Sequence, residues 1–137
     1  EALQDLNFVT AFYWDRDEQT RAFAQRFFPI RQKQPTMFQA GVYSAVSQYL
    51  KAVKETGSTQ AEAIRAHIQA KPFEDFFARN ARLLPNGRLV HDMLIGRIKK
   101  PSEQKYPWDY YEIIGVVPAT DAFRKIEDSK CPAGSRF

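Results

Sequence analysis

The apolar positions of the chain change period several times, and each change marks a predicted element. Leu6 to Phe12 places bulk at Phe8, Val9 and Phe12 with little charge between them, the pattern of a short buried strand. It runs directly into Phe12-Tyr13-Trp14-Asp15, three rings ending on a carboxylate. A helical pattern follows, with Phe23 and Phe27 on one face and Arg21 and Arg26 off it, ending near Phe28 at Pro29. Asp15 with Glu18, or Asp17 alone, supplies its N-terminal cap. Beyond the polar connection Gln32 to Pro35, Thr36 caps the longest helix, about Met37 to Glu55. Its Tyr43, Val46, Leu50 and Val53 fall three and four apart as a continuous apolar stripe, while Gln48, Lys51, Lys54 and Glu55 face water. Gly57 suits its C-terminal end. Thr59-x-x-Glu62 predicts a capping box for a third helix that buries Ala61, Ile64 and Ile68.

After Pro72 the periods shorten. Phe73, Phe76 and Phe77 suggest one helical turn over the core. Ala81 to Leu84 and Leu89 to Ile95 flank Pro85-Asn86-Gly87-Arg88, a strong hairpin signal because Asn and Gly both tolerate positive φ. Met93 to Ile98 reads as a strand, Pro101 to Tyr106 as a charged loop, and Tyr110 to Val117 as a strand stopped by Pro118. Asp121 to Ile126 forms a final helical turn. Strands mixed with helices point to an α/β or α+β layered fold. The helices nevertheless have too little sheet to cover, so another chain or further sequence must complete the sheet. Alone, the chain is expected to fold poorly.

Length and composition fit one ordinary domain: 137 residues, 44% hydrophobic and 26% charged, too apolar for wholesale disorder. The net charge of +4 is spread out, densest at Lys99-Lys100 and Arg31-Gln32-Lys33. That describes a solvated surface better than a nucleic-acid stripe. The single cysteine, Cys131, permits neither an internal disulfide nor a metal site by itself. It is either a tail thiol or one half of a pair completed elsewhere. No apolar run approaches a membrane span, and no signal peptide opens the chain. A start at Glu1 without Met suggests a processed or excised segment.

Signals for chemistry are thin. His91-Asp92 are neighbours on a strand and point to opposite faces, which disfavours a dyad. His67 lies beside the apolar face of the third helix with no second ligand four residues on. Glu74 and Asp75 could suggest acid–base work, but a charge near a helix N-terminus explains them more simply. No Gly-rich phosphate loop, nucleophile elbow, HExxH or CxxC is present, and no metal or cofactor is implied. The aromatic residues remain. Phe12, Tyr13 and Trp14 are either core or a wall against which an apolar or aromatic ligand stacks, and the same choice applies to Trp108, Tyr110 and Tyr111.

Longer blocks carry a resemblance. Trp14-Asp15, then Gln39-Ala40-Gly41-Val42-Tyr43-Ser44-Ala45-Val46 with Tyr49-Leu50-Lys51-Ala52-Val53, occur in order with Asn86-Gly87-Arg88, His91-Asp92-Met93, Lys99-Lys100-Pro101, Pro107-Trp108-Asp109-Tyr110-Tyr111 and Cys131-Pro132. In this series the chain resembles the C-terminal portion of ABC-transporter substrate-binding proteins of the branched-chain amino acid type, the type I periplasmic fold. It departs from the pattern at Pro85-Asn86, at Arg31-Gln32-Lys33-Gln34 and in its tail. The resemblance implies a three-layer α/β/α two-lobe protein with no enzymatic activity and no cofactor. Residues 1–12 would end the second lobe, 13–92 contribute to the first, and 93–137 return to the second. It implies capture of an amino acid or aromatic acid between the lobes, delivery to a membrane permease, and a periplasmic location. Phe12, Tyr13 and Trp14 would form one edge of the cleft, and sequence upstream of Glu1 the rest. The competing readings are a sensory or regulatory domain of the same fold, a small basic nucleic-acid-binding domain, and an enzyme using His91 and Asp92.

Overall fold

The computed structural model describes residues 3–128. Its three-stranded sheet runs in the order β1 (Asn7–Thr10), β4 (Met93–Ile98) and β5 (Tyr111–Val117), with both pairings antiparallel. Phe8 lies opposite Gly96, and the reason is steric: a Cβ at residue 96 would sit 2.5 Å from the Phe8 ring. The ring lies instead across the bare backbone and against Tyr111, 4.7 Å between centroids. β1 is not the buried strand expected from its composition. It pairs on one side only among the described residues, and Val9 is exposed.

The other body is helical, with a small hairpin attached. α1 (Glu18–Arg31) is capped by Asp17, whose carboxylate accepts from the Thr20 N–H at 2.9 Å while the Thr20 hydroxyl oxygen accepts from the Asp17 N–H at 3.0 Å. Asp15 and Glu18 do not cap it. Nor does Pro29 end it. Proline in the last turn removes one intrahelical donor, and the helix still runs to Arg31, closing where the left-handed Gln32 returns its N–H to the Phe28 carbonyl at 2.7 Å.

α2 (Met37–Thr56) has the caps expected, Thr36 with Gln39 at one end and a left-handed Gly57 at the other. Its orientation differs from the expected one. The stripe of Tyr43, Val46 and Leu50 faces outward, and the buried positions are the small Ala40, Ser44 and Ala52. Small side chains let the helix lie close on segment 73–78, where a Cβ at Gly41 would already touch the Phe77 ring at 3.4 Å. Gln48 faces inward as well, donating to Asp75 at 3.1 Å. α3 (Ala61–Gln69) starts at Gln60 with no side-chain cap, so the Thr59–Glu62 box does not form. Ile64 is buried there, but Ala61 is exposed.

Segment 73–78 is a tight turn and not a helix. The Asp75 carboxylate accepts the N–H groups of Phe77 and Ala78, each at 2.9 Å, and the Ser44 hydroxyl at 2.6 Å. Burial pushes this carboxyl up, but the donors outweigh it and hold the group below the usual carboxylate range. The turn sets Phe77 and Ala78 into a core with Phe12, Phe23, Ala40 and Ala81, while Phe76 stacks on Phe23 at 4.4 Å. Phe73 bridges back to Ala81, leading into the hairpin of β2 (Arg82–Leu83) and β3 (Leu89–Val90). Only Gly87 takes positive φ in its turn; Asn86 contributes its side chain, accepting from the Arg88 N–H at 3.2 Å. The final helical turn, α4 (Ala119–Ala122), begins earlier than expected because Asp92 accepts the Ala119 N–H at 2.9 Å.

The two adjacent carboxylates at 74 and 75 therefore have separate fates. Asp75→Ala should cost about 2–3 kcal/mol by removing one half-buried ion that satisfies several donors. Glu74→Ala should stay within about 0.5 kcal/mol, since Glu74 is on the surface. Thermal or denaturant melts of the two variants measure the difference.

Candidate functional site

The sheet and the helical body meet at Phe12-Tyr13-Trp14-Asp15. Successive side chains of an extended segment point in different directions, so consecutive rings reach different neighbours. Phe12 is 4% exposed and belongs to the helical core, stacked on Phe77 and edge-on to Phe23. Tyr13 turns to the sheet, its ring centroid 5.6 Å from that of Tyr111. Its hydroxyl is buried with no hydrogen-bond partner among the described residues, and burial pushes the phenol well above its ordinary value. Trp14 is half-buried, and its Nε1 donates to the Trp108 carbonyl at 3.3 Å. Asp15, freed from capping, accepts from Arg21 at 3.1 Å and from the Tyr106 hydroxyl.

Trp14 and Asp15 thus lean on the loop between β4 and β5, and a buried ion pair shapes that loop. Asp109 is 1% exposed and meets the Lys99 ammonium at 2.5 Å while accepting the Lys105 N–H at 3.0 Å. Burial pushes the Asp109 carboxyl up, but these donors prevail and hold it low. Trp108 sits at φ 73°, a left-handed conformation costly for a bulky residue, and its carbonyl also accepts the Tyr110 N–H at 2.9 Å. A second cluster steadies the loop base, where Arg97 pairs with Asp5, Glu103 and Glu112 at 2.7–2.9 Å. Sequence inspection missed Lys99, Asp109 and Tyr106 as partners of the crossover. The Trp108-Asp109 block was visible, but nothing local announces a pair ten residues apart.

Two open spaces lie along α1. Trp14, Arg21, Ala24, Gln25, Phe28 and Gln34 line a pocket of 330 Å³ beside the crossover. A larger apolar groove of 680 Å³ runs between α1 and α2 over Phe27, Phe38, Val42 and Val46. Aromatic walls with a few polar groups suit capture of a small organic molecule. They offer no reaction. His91 is buried between the rings of Phe77 and Phe123, its Nδ1 2.8 Å from the Asp92 backbone oxygen, while the Asp92 carboxylate turns to Asn80 and Ala119. His67 lies 2.7 Å from Glu55 on the surface. Among the described residues no group of His, Cys, Asp and Glu could hold a metal, and no helix is long and apolar enough to cross a membrane. Cys131 lies outside the described residues.

The isolated Tyr13 hydroxyl has a measurable signature. A phenol that ionises later in the folded state than in the unfolded one stabilises the fold below pH about 10, and that contribution is lost as pH rises toward the folded value. Tyr13→Phe should leave stability at neutral pH unchanged or raised by up to about 1 kcal/mol. Its melting temperature should also fall less between pH 8 and pH 11. Tyr106, pushed up to about 12 by its hydrogen bond to Asp15, is present in both proteins and supplies the remaining alkaline decline.

Comparison with known proteins gives a consistent result. The periplasmic binding protein family matches residues 1–105. No curated protein matches the chain. Among solved structures, a branched-chain amino acid ABC-transporter periplasmic ligand-binding protein from Burkholderia xenovorans is 43% identical with a TM-score of 0.90, over 95% of this chain and 35% of its own. A periplasmic binding protein from Burkholderia mallei is 38% identical with a TM-score of 0.90, over 96% of this chain and 35% of its own. A Rhodopseudomonas palustris solute-binding protein, solved with 3,4-dihydroxybenzoic acid, shares the fold at 15% identity and a TM-score of 0.71, over 87% of this chain and 32% of its own. The chain therefore spans about a third of the length of these relatives. It belongs to the periplasmic binding protein family, a family of binding proteins and not of enzymes.

Proposed function

We propose that the chain serves in the solute-binding component of an ABC transporter. In this reading a small organic ligand, an amino acid or an aromatic acid, is held between two lobes in the periplasm and handed to a membrane permease. The observation that carries it is the superposition on the B. xenovorans ligand-binding protein over nearly the whole of this chain. The internal geometry supports it. In this reading the sheet of β1, β4 and β5 belongs to one lobe and the helical body to the other, and the crossover at Phe12 to Asp15 is where they pivot.

Within the crossover the rings have graded roles. Trp14 is half-open beside a pocket and supplies the ligand-facing edge of the cleft. Tyr13 stands behind it with a free hydroxyl, and Phe12 anchors both from the core. Closure about such a crossover traps ligand without any covalent step. Aromatic side chains at the edge suit a ligand with an apolar body and one charged end.

Ligand that binds only the folded state adds about 2.7 kcal/mol of stability at 100 times Kd and thereby raises the melting temperature. The complete two-lobe protein should show such a shift with one or more members of a panel of branched-chain amino acids and benzoate derivatives. Trp14→Ala should weaken the effective ligand about tenfold, the loss of one aromatic contact of roughly 1.4 kcal/mol. A flat response across the whole panel would refute the transport reading.

A further inference from the structure

The chain has three asparagines, and only Asn86 precedes a glycine. The hairpin of β2 and β3 carries this pair at its exposed tip. Two backbone bonds close the turn: the Gly87 N–H donates to the Leu84 carbonyl at 2.9 Å, and the Leu84 N–H to the Arg88 carbonyl at 2.8 Å. Inside it the Asn86 side chain folds forward over its own main chain, its Oδ1 accepting from the Arg88 N–H at 3.2 Å. A side-chain turn of this kind lays the carbonyl carbon, Cγ, beside the next peptide nitrogen, that of Gly87.

That placement has chemical meaning. The Arg88 N–H draws electron density from Oδ1 and makes Cγ more electrophilic. The same donor stabilises the oxyanion of an addition at Cγ, as the N–H groups of an oxyanion hole do. Gly87 has no Cβ, sits at φ 78°, and has nothing within 4 Å of where a Cβ would stand. The main chain there is free to bring its nitrogen onto Cγ. One bond opposes the attack, the one from the Gly87 N–H to Leu84. It lies at the end of a hairpin with two residues in each strand, where local opening costs little. The other asparagines are held differently. The Asn80 amide nitrogen donates to Asp92 at 2.7 Å, and the following nitrogen, of buried Ala81, donates to the Phe73 carbonyl at 3.1 Å. Asn7 lies within β1 and precedes Phe8.

We propose that Asn86-Gly87 is a site of spontaneous backbone modification in the folded protein. The Gly87 nitrogen bonds to Asn86 Cγ, the Cγ–Nδ2 bond breaks, and ammonia leaves with the proton that the Gly87 nitrogen gives up. The product is a five-membered cyclic imide, which water opens. Addition at Cγ leaves an aspartate. Addition at the main-chain carbonyl leaves an isoaspartate, whose backbone runs through the side chain and is longer by a methylene. Either product sets a carboxylate beside Arg88. The Arg88 guanidinium also donates to the Arg124 carbonyl at 3.2 Å, so the change reaches the link between the hairpin and the segment after α4. No enzyme and no transport ligand take part, and the proposal is independent of the transport reading.

The test ages the complete protein, folded, in mildly alkaline buffer and follows each asparagine by peptide mass spectrometry. Trypsin releases residues 83–88 as one fragment, in which conversion of the amide to an acid is read as a mass gain. Asn86 should convert at least about tenfold faster than Asn7 or Asn80, because only its neighbour escapes the cost of a side chain in the left-handed region. Aspartyl and isoaspartyl forms of the fragment should both appear, since only a cyclic intermediate yields the two. Asn86→Gln keeps Gly87 in place and should show neither. Conversion of Asn86 no faster than that of Asn80 would overturn the proposal, as would an aspartyl product alone, the mark of direct hydrolysis.

Discussion

The structure depends on keeping three consecutive rings apart. In the extended crossover, Phe12 is held by the phenylalanine core, Tyr13 by the sheet at Tyr111, and Trp14 by the backbone of Trp108. One short segment thus ties the helical body, the sheet and the β4–β5 loop together. Its geometry constrains the rest of the chain. Phe12 orders the turn at Asp75 through its contacts with Phe76 and Phe77, and that turn determines which face of α2 points inward. On the other side, Trp14 needs its loop to present a carbonyl at one place. The buried Lys99–Asp109 pair and the strained Trp108 backbone meet that need. A buried ion pair is weak evidence for added stability, because desolvation of both ions opposes their attraction. Here its visible contribution is shape.

Local chemistry explains which elements were legible in the sequence. The caps of α2 at Thr36 and Gly57 act within a few residues of themselves, and so does the hairpin turn at Gly87. Strand β4 and strand β5 followed from their apolar runs. The errors came from longer range. α2 has a bulky apolar stripe and a face of small and polar residues, and periodicity alone points the bulky one inward; a turn more than thirty residues away turns the other one in, through Ser44 and Asp75. Val9 reads as buried until the number of its neighbouring strands is known. Asp15 reads as a cap until Tyr106 and Arg21 are found beside it. The crossover was conspicuous as a cluster of aromatic residues, but the Lys99–Asp109 pair that positions its neighbour was not.

Membership of the periplasmic binding protein family accounts for what is missing as well as for what is present. The chain holds no arrangement of nucleophile, base and oxyanion donors among its described residues, and its histidines are engaged in structural contacts. It does hold a junction between two bodies, aromatic residues at that junction, and helices with an uncovered apolar face. These features fit a closing binding protein, in which affinity comes from enclosure and the work is a change of angle between lobes. A crossover so firmly held on three sides would transmit that change to the loop at Trp108 and to α1 together.

Amide hydrogen exchange on the complete protein, with and without saturating ligand, tests this account most directly. The account predicts slower exchange at Tyr13 to Asp15 and at Tyr106 to Asp109 when ligand is bound, with little change along α3. Ligand that slowed exchange elsewhere while leaving the crossover and its loop unaltered would contradict it.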